Sequence, residues 1–471
     1  MDVLLLNPPA ANGVAIVREG RCMQRAGAWT AVWAPISLAT IAAVLLQAGF
    51  TCHLADGIVE GLDTTRLLER FRRLRPRLAV INTATPSIVS DLALAGDLKK
   101  AFPGMVTLAI GIHPSALPEE VLRMEPDLDA VVRGDPEITI REAAERIQQG
   151  QKLAGLPGLS LRQGKEILHG PEREPAELDA LPFPAWHLVQ RELYRLPFRD
   201  QPFLLVATSR GCPYTCEFCA DATYYGRRFR QKSPERIVKE LDWIKTKFGI
   251  TDFLFWAESF TLKRDWTLMV ADAIIASGLK LDWVCNSRGD HVDAELLTRL
   301  KAAGCWMIGF GFESGSQKML DLMGKKTTLE QHRQAVLLAK AAGLMVTAHL
   351  VLGYPGETKD TIQETIAFAR SLPLDYAQFY CAVPFPGSEL YRRAKAEGWI
   401  NTDDWSRFEQ NFSVLDLPGL KAEEVMAWRR KAYRQFYFRP GRVLHTLNQN
   451  ASPAALKNLW RMIAQFQDWI A

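Results

Sequence analysis

The sequence predicts an α/β protein built from two successive parallel-sheet units and a helical C-terminal region. Three observations carry that expectation. Short apolar runs alternate with amphipathic helical patterns over the first 150 residues, the alternation stops in a Pro- and Gly-rich stretch, and it resumes at Phe203 for six further rounds. Strands that alternate with helices pair in parallel, because each helix carries the chain back to start the next strand in the same direction. At 471 residues the chain is too long for one core and suits two or three domains.

In residues 1–150, apolar runs at 3–6, 52–55, 78–82, 106–110 and 130–132 fit strands, and spaced apolar positions near 36–47, 64–74, 89–102, 118–124 and 137–148 fit helices. Ligands of such sheets bind beyond the carboxyl ends of the strands. Standing there are Asn7-Pro8-Pro9, Asp56-Gly57, Thr83 to Ser87, Gly111-Ile112-His113-Pro114 and Gly134-Asp135-Pro136-Glu137. No G-x-G-x-x-G loop follows the first strand, which disfavours an ordinary dinucleotide site. Residues 151–200 are expected to form an ordered connector with a hairpin about Gly164.

Within 201–390, strands fit 203–208, 253–256, 283–285, 307–310, 346–350 and 376–380, and helices fit 234–248, 265–277, 294–303, 329–342 and 359–371. Gly249, Gly278, Gly304 and Gly343 stand where helices stop, and Ser233-Pro234 where one starts. Six β–α units predict a partial (β/α)6 barrel of the TIM type, with its chemistry at the carboxyl ends of the strands. Residues 391–471 read as mostly helical, over 421–437 and 454–469. Trp428, Tyr433, Phe436, Trp460, Phe466 and Trp469 recur there at helical spacing, as core residues do.

Apolar residues make up 48% and charged residues 23%, a balance that excludes wholesale disorder. A net charge of +4 is too small to argue for nucleic acid. Arg72, Arg73, Arg75 and Arg77 read as a solvated face. The longest apolar stretch, 35–50, is broken by Ser37, Thr40 and Gln47 and falls short of a membrane span. A cytoplasmic protein with reduced thiols is expected.

Of eight cysteines, three crowd together in Cys212-Pro213-Tyr214-Thr215-Cys216-Glu217-Phe218-Cys219, just after the first barrel strand. Thiolates spaced C-x3-C-x2-C suit an iron–sulfur cluster or zinc. Structural zinc wants four closed ligands, and no fourth Cys or His stands nearby. Three ligands on a four-iron cluster leave one iron open.

This motif resembles that of the radical S-adenosylmethionine superfamily. The resemblance implies a [4Fe–4S] cluster on Cys212, Cys216 and Cys219, S-adenosylmethionine on the open iron, and reductive cleavage to a 5′-deoxyadenosyl radical. Phe218 matches the aromatic position before the last cysteine. By position, the resemblance also implies cofactor contacts at Glu258, Arg288, Glu313, Ser314 and Gly353. Arg288 would pair with a carboxylate through its fork of donors, Glu313 would hold the amino group or ribose, and Glu357 would cap a helix.

The first domain resembles the cobalamin-binding domain fused to many of these enzymes, a Rossmann-like fold. Cobalamin contacts are thereby implied at Asn7, Pro8, Thr83, Ser87, Gly111, His113, Pro114 and Gly134. Asp135 replaces the first Glu of the related Gly-Glu-x-Glu pattern. The D-x-H-x-x-G pattern that supplies a histidine to cobalt in mutases is absent, so no protein histidine is expected on cobalt. The resemblance implies a radical methyltransferase acting at an unactivated carbon of a small-molecule metabolite. It also implies an external one-electron donor of the flavodoxin or ferredoxin kind. The alternatives are a radical cyclase resembling that of chlorophyll synthesis, and a cluster-bearing electron-transfer or regulatory protein without turnover. The two sheets are expected to face each other by their carboxyl ends, with the substrate between them.

Overall fold

The structure, a computed structural model, describes residues 1–10, 13–20, 23–26, 31–196 and 199–439. The helix expected over 454–469, with Trp460, Phe466 and Trp469, lies outside the described residues.

Five parallel strands open the chain: β1 (Asp2–Asn7), β2 (Thr51–Asp56), β3 (Leu78–Asn82), β4 (Val106–Ile110) and β5 (Ala130–Val132). They run in the order β2-β1-β3-β4-β5. Strands β3 and β5 are buried along their whole length, as a parallel sheet covered on both faces requires. The covering helices are α1 (Ile36–Gln47), α2 (Thr64–Phe71), α3 (Ile88–Ala101), α4 (Ile112–Ala116), α5 (Pro118–Met124) and α6 (Pro136–Gln149). Strand order reverses between β1 and β3, which opens the ligand crevice of such folds there. The expected hairpin forms from β6 (Leu159–Gln163) and β7 (Glu166–His169), and β6 pairs antiparallel with β5. The sheet therefore continues past residue 150, because the exposed edge of β5 is a template for one more strand.

The second unit is a six-stranded parallel sheet in the order β15-β14-β13-β12-β11-β8. Its strands are β8 (Phe203–Ala207), β11 (Asp252–Trp256), β12 (Asp282–Ser287), β13 (Cys305–Glu313), β14 (Met345–Leu352) and β15 (Tyr376–Cys381). The short pair β9 (Ser209–Arg210) and β10 (Arg230–Gln231) brackets the cysteine loop and the single turn α7 (Asp221–Tyr224). Between the strands run α8 (Pro234–Phe248), α9 (Arg264–Ser277), α10 (Ala294–Ala302), α11 (Gln317–Leu322), α12 (Leu329–Ala341) and α13 (Lys359–Ser371). Ser233 caps α8 by accepting from the Arg236 N–H, as its sequence predicts.

The barrel stays open, so β8 and β15 are both edges. Helix α1 of the first unit packs beside β8. Beyond α14 (Glu389–Ala396) a largely irregular strap over 397–421, with one 3-10 turn at Trp405–Arg407, leads to α15 (Ala422–Tyr437), which covers β15. Tyr433 Oη accepts from the Phe379 N–H at 3.1 Å, and Arg429 Nε donates to the Phe379 carbonyl at 2.7 Å. Tyr437 Oη accepts from the Ala377 N–H and donates to its carbonyl. Aromatic positions read as core thus also satisfy the backbone of an edge strand.

Candidate active site

The cysteine loop leaves β9 through Gly211, at φ 84°, where a Cβ would lie 2.3 Å from the Arg228 carbonyl oxygen. Only glycine lets the chain pass there. Glu217 anchors the loop, accepting from Tyr354 Oη at 2.7 Å through its carboxylate and from the Leu390 N–H through its carbonyl. Tyr214 lies 3.7 Å beneath the Arg288 guanidinium, and its hydroxyl meets His291 Nε2 at 2.5 Å. Held in this way, half-buried Cys212, Cys216 and Cys219 line a cavity of about 330 Å³. That volume is within the range of small-molecule sites. None of the described cysteines forms a disulfide.

Phe218, Glu258, Arg288 and Glu313 all line this cavity. Glu313 sits at a register shift in β13, with a strained φ of 65° that turns its side chain back over Gly311. Its Oε1 accepts from Lys325 Nζ at 2.8 Å. Lys325 is one of the site residues that sequence reasoning missed; its one signal was Gly324-Lys325 directly after a short helix. Arg288 is held by protein partners in this structure. Its guanidinium already donates twice to Asp290, at 2.9 and 3.0 Å, and once to the Lys325 carbonyl, so it clamps the cysteine loop from below.

Two expected contacts are not brought to the cavity. Ser314 is fully buried against α13, its Oγ 3.0 Å from Thr365 Oγ1, because the turn at Glu313 swings the next residue outward. Gly353 bends at φ 82° against Val425 of α15. Glu357 bonds back to the Gly353 N–H, while Thr358 is the residue that caps α13. Burial pushes the Glu357 carboxyl up to about 8.

In the first unit, the carboxyl-edge residues are mostly engaged with one another. Asn7 donates to Asp56 and accepts from Asn82, Thr83 donates to the Ile110 carbonyl, and Ser87 donates to Asp91. Gly111, at φ 133°, lies so close to Thr83 that a Cβ would stand 2.7 Å from its carbonyl oxygen. Gly134 donates to Ser115 Oγ. None of these, nor Pro8, His113 or Pro114, lines the barrel cavity. The first unit reaches the cavity instead through Gln24, Ala31 and Trp33 of the segment between β1 and α1. Trp33 packs edge-on against Trp256 of β11 at 5.1 Å.

Besides the packing of α1 beside β8 and of Trp33 on Trp256, two sets of contacts join the units at their carboxyl ends. Ala84 and Ile112 share an apolar cluster with Ala220, Tyr224 and Phe385, so the carboxyl ends of the two sheets do face each other. Beside it, Glu137 accepts from Arg210 and Asp135 from Arg230, each at 2.6 Å and all four buried. The Gly134-Asp135-Pro136-Glu137 motif is therefore a domain clamp in this structure. Buried polar atoms without an internal partner remain at the first sheet's edge: Thr85 Oγ1 and both ring nitrogens of His113. A polar cofactor on these loops would answer them, so the residues present fit a bound corrinoid. His113 packs edge-on against Trp405 of the strap at 4.6 Å, and burial drops its imidazole to about 3. It is held neutral.

Comparison with known proteins agrees with this arrangement. The radical SAM superfamily model matches residues 206–369, and the B12 binding domain model matches 27–144. An uncharacterized methyltransferase of Pyrococcus horikoshii is 30% identical over 441 residues, 93% of each chain. The anaerobic magnesium-protoporphyrin IX monomethyl ester cyclase of Cereibacter sphaeroides is 26% identical, over 88% of this chain and 68% of its own. Among solved structures, the radical S-adenosylmethionine methyltransferase TsrM from Kitasatospora setae, with cobalamin and a [4Fe–4S] cluster bound, superposes with a TM-score of 0.68. It is 18% identical and covers 93% of this chain and 82% of its own. Its likeness is one of fold.

Proposed function

Because the chain belongs to the cobalamin-binding radical S-adenosylmethionine superfamily, we propose that it methylates an unactivated carbon of a small-molecule substrate. One observation carries this reading: a single cavity is lined both by Cys212, Cys216 and Cys219 and by Gln24, Ala31 and Trp33 of the cobalamin-binding unit. When bound, the [4Fe–4S] cluster with S-adenosylmethionine supplies a hydrogen-abstracting 5′-deoxyadenosyl radical, and cobalamin supplies a transferable methyl group.

The chain's own residues do the rest. Cys212, Cys216 and Cys219 would ligate three irons as thiolates. Glu258 and Glu313 face the cavity, where a cofactor's amino group and ribose need acceptors. Lys325 balances Glu313, so that wall carries a charge pair rather than an uncompensated anion. Thr85 and His113 would meet polar groups of the corrinoid. The apolar seam through Ala84, Ile112, Tyr224 and Phe385 keeps water from a radical centre. The electron comes from an external flavodoxin- or ferredoxin-like donor.

Likeness to a cyclase favours a second reading, oxidative ring formation at the same site. By-product counting separates the two. Methylation requires one 5′-deoxyadenosine and one S-adenosylhomocysteine per methylated product. Formation of 5′-deoxyadenosine without S-adenosylhomocysteine and without a gain of one methylene in the product would replace the transferase by the cyclase. Absence of both by-products and of any altered substrate would leave an electron carrier.

A further inference from the structure

Below its charged wall the cavity continues into the barrel, and we propose that this lower chamber binds an uncharged, hydrogen-bonding aromatic part of the substrate. On β12, β14 and β15 the inward positions Asn286, His349 and Gln378 are half-buried, while Cys285, Ala348 and Leu350 beside them are buried in the hydrophobic core. All three line the cavity. Between them β13 presents Gly309. A Cβ there would fall 2.3 Å from Asn286 Oδ1 and 2.9 Å from His349 Nε2, so both polar atoms lean over the same bare backbone. The absent side chain gives both polar groups room to sit there.

His349 also begins an aromatic wall. The rings of His349 and Tyr380 stack at 5.9 Å with 12° between their planes. The Tyr380 hydroxyl donates to Gln378 Oε1 and stands 3.4 Å from His349 Nδ1. Amide, imidazole and phenol thus offer both donors and acceptors beside a ring-sized face.

Charge is arranged around this layer and kept out of it. Above, Glu313 pairs with Lys325 and Arg288 with Asp290. At the floor, Arg199 is bound by Asp252 at 3.1 Å and Asp282 at 3.0 Å, and it lies over Trp306. The inward side chains Asn286, His349 and Gln378 are themselves uncharged, and the charges nearest to them, Glu313 and Lys325 over Gly311, are paired with each other, so a charged group placed there would be desolvated beside a counter-ion already engaged. Neutral heteroaromatic or amide-bearing groups fit, and carboxylates and ammonium groups do not. Assigning the chamber to the substrate rests on the transferase reading; ligand selection by the chamber does not.

The test is saturation-transfer NMR on the anaerobic holoprotein with two probes of one shape, nicotinamide and nicotinate, each with and without saturating S-adenosylhomocysteine. Nicotinamide is expected to bind in both conditions and nicotinate about tenfold more weakly, since a site built on neutral hydrogen bonds rejects a buried charge. Gln378→Leu and His349→Leu are expected to lose nicotinamide at least about fivefold while keeping S-adenosylhomocysteine affinity, which also reports the fold. Equal binding of the two probes, binding of neither, or displacement of nicotinamide by S-adenosylhomocysteine would overturn the proposal, even if a variant failed to fold. So would a folded variant that kept nicotinamide. Turnover is not used, so failure here is distinct from failure of the by-product ratio.

Discussion

Thiolates that hold a cluster must be presented together, and the three cysteines are presented by a loop whose backbone is tied at Gly211, Glu217 and Tyr214. Each of Cys212→Ala, Cys216→Ala and Cys219→Ala is expected to abolish the cluster's iron content and visible absorbance under anaerobic reconstitution, and with them reductive S-adenosylmethionine cleavage. Full iron in any one variant removes that residue from the ligand set. His113 makes a prediction of a different kind. Its imidazole titrates at about 3 when folded, against 6.5 for the free side chain. Between those values the unfolded chain binds the extra proton, so this residue costs stability as pH falls from 6.5 towards 3 and nothing above that window. At pH 5 the loss is about 2 kcal/mol. Urea denaturation at pH 7 and pH 5 should show His113→Phe losing that much less than the parent; identical slopes would mean His113 is hydrated or paired.

Element positions were largely legible. Helices over 36–47, 118–124, 234–248 and 359–371 and strands over 78–82, 106–110 and 130–132 fall where the apolar periodicity places them. Periodicity and caps are local, and local signals survive folding. The treatment of edges was not legible, because which strand is left without a neighbour depends on the whole sheet. The hairpin that extends β5 and the tyrosines that serve β15 are both answers to that problem. Tyr433→Phe keeps the buried ring and leaves the Phe379 N–H without its acceptor. It should cost about 1–3 kcal/mol, the penalty for an unsatisfied buried donor, read as a lowered melting temperature with unchanged cluster content. An unchanged melting temperature would show that water replaces the hydroxyl.

At the scale of the whole molecule, the relative placement of the two units rests on a buried ion cluster and an apolar seam. Glu137→Gln would leave Arg210 paired only with Asp135, at 3.6 Å. Breaking one partner of a buried pair is expected to cost about 3–5 kcal/mol. The loss should fall on the joint between units, so limited proteolysis of the connector over 170–200 should accelerate more than cleavage within either sheet. Uniform acceleration at all sites would place the clamp's contribution in one unit's core instead.

The sequence by itself determined the two α/β units, their order, and the clustering of three cysteines in one loop, because strand and helix periodicity and a C-x3-C-x2-C spacing are properties of neighbouring residues. Glu258 and Glu313 were found the same way, since strand ends are legible and chemistry gathers there. The tertiary structure alone decided what those ends do. It turned Ser314 and Gly353 away from the cavity, brought in Lys325, and made Arg288 a clamp. It engaged Asp135 and Glu137, beside the expected contact Gly134, in the joint between domains. It also opened the neutral chamber among Asn286, His349 and Gln378. Each of these outcomes joins residues on different strands or different domains. Their charges and hydrogen bonds are settled only when long-range packing chooses the partner, and no local pattern in the chain records that choice.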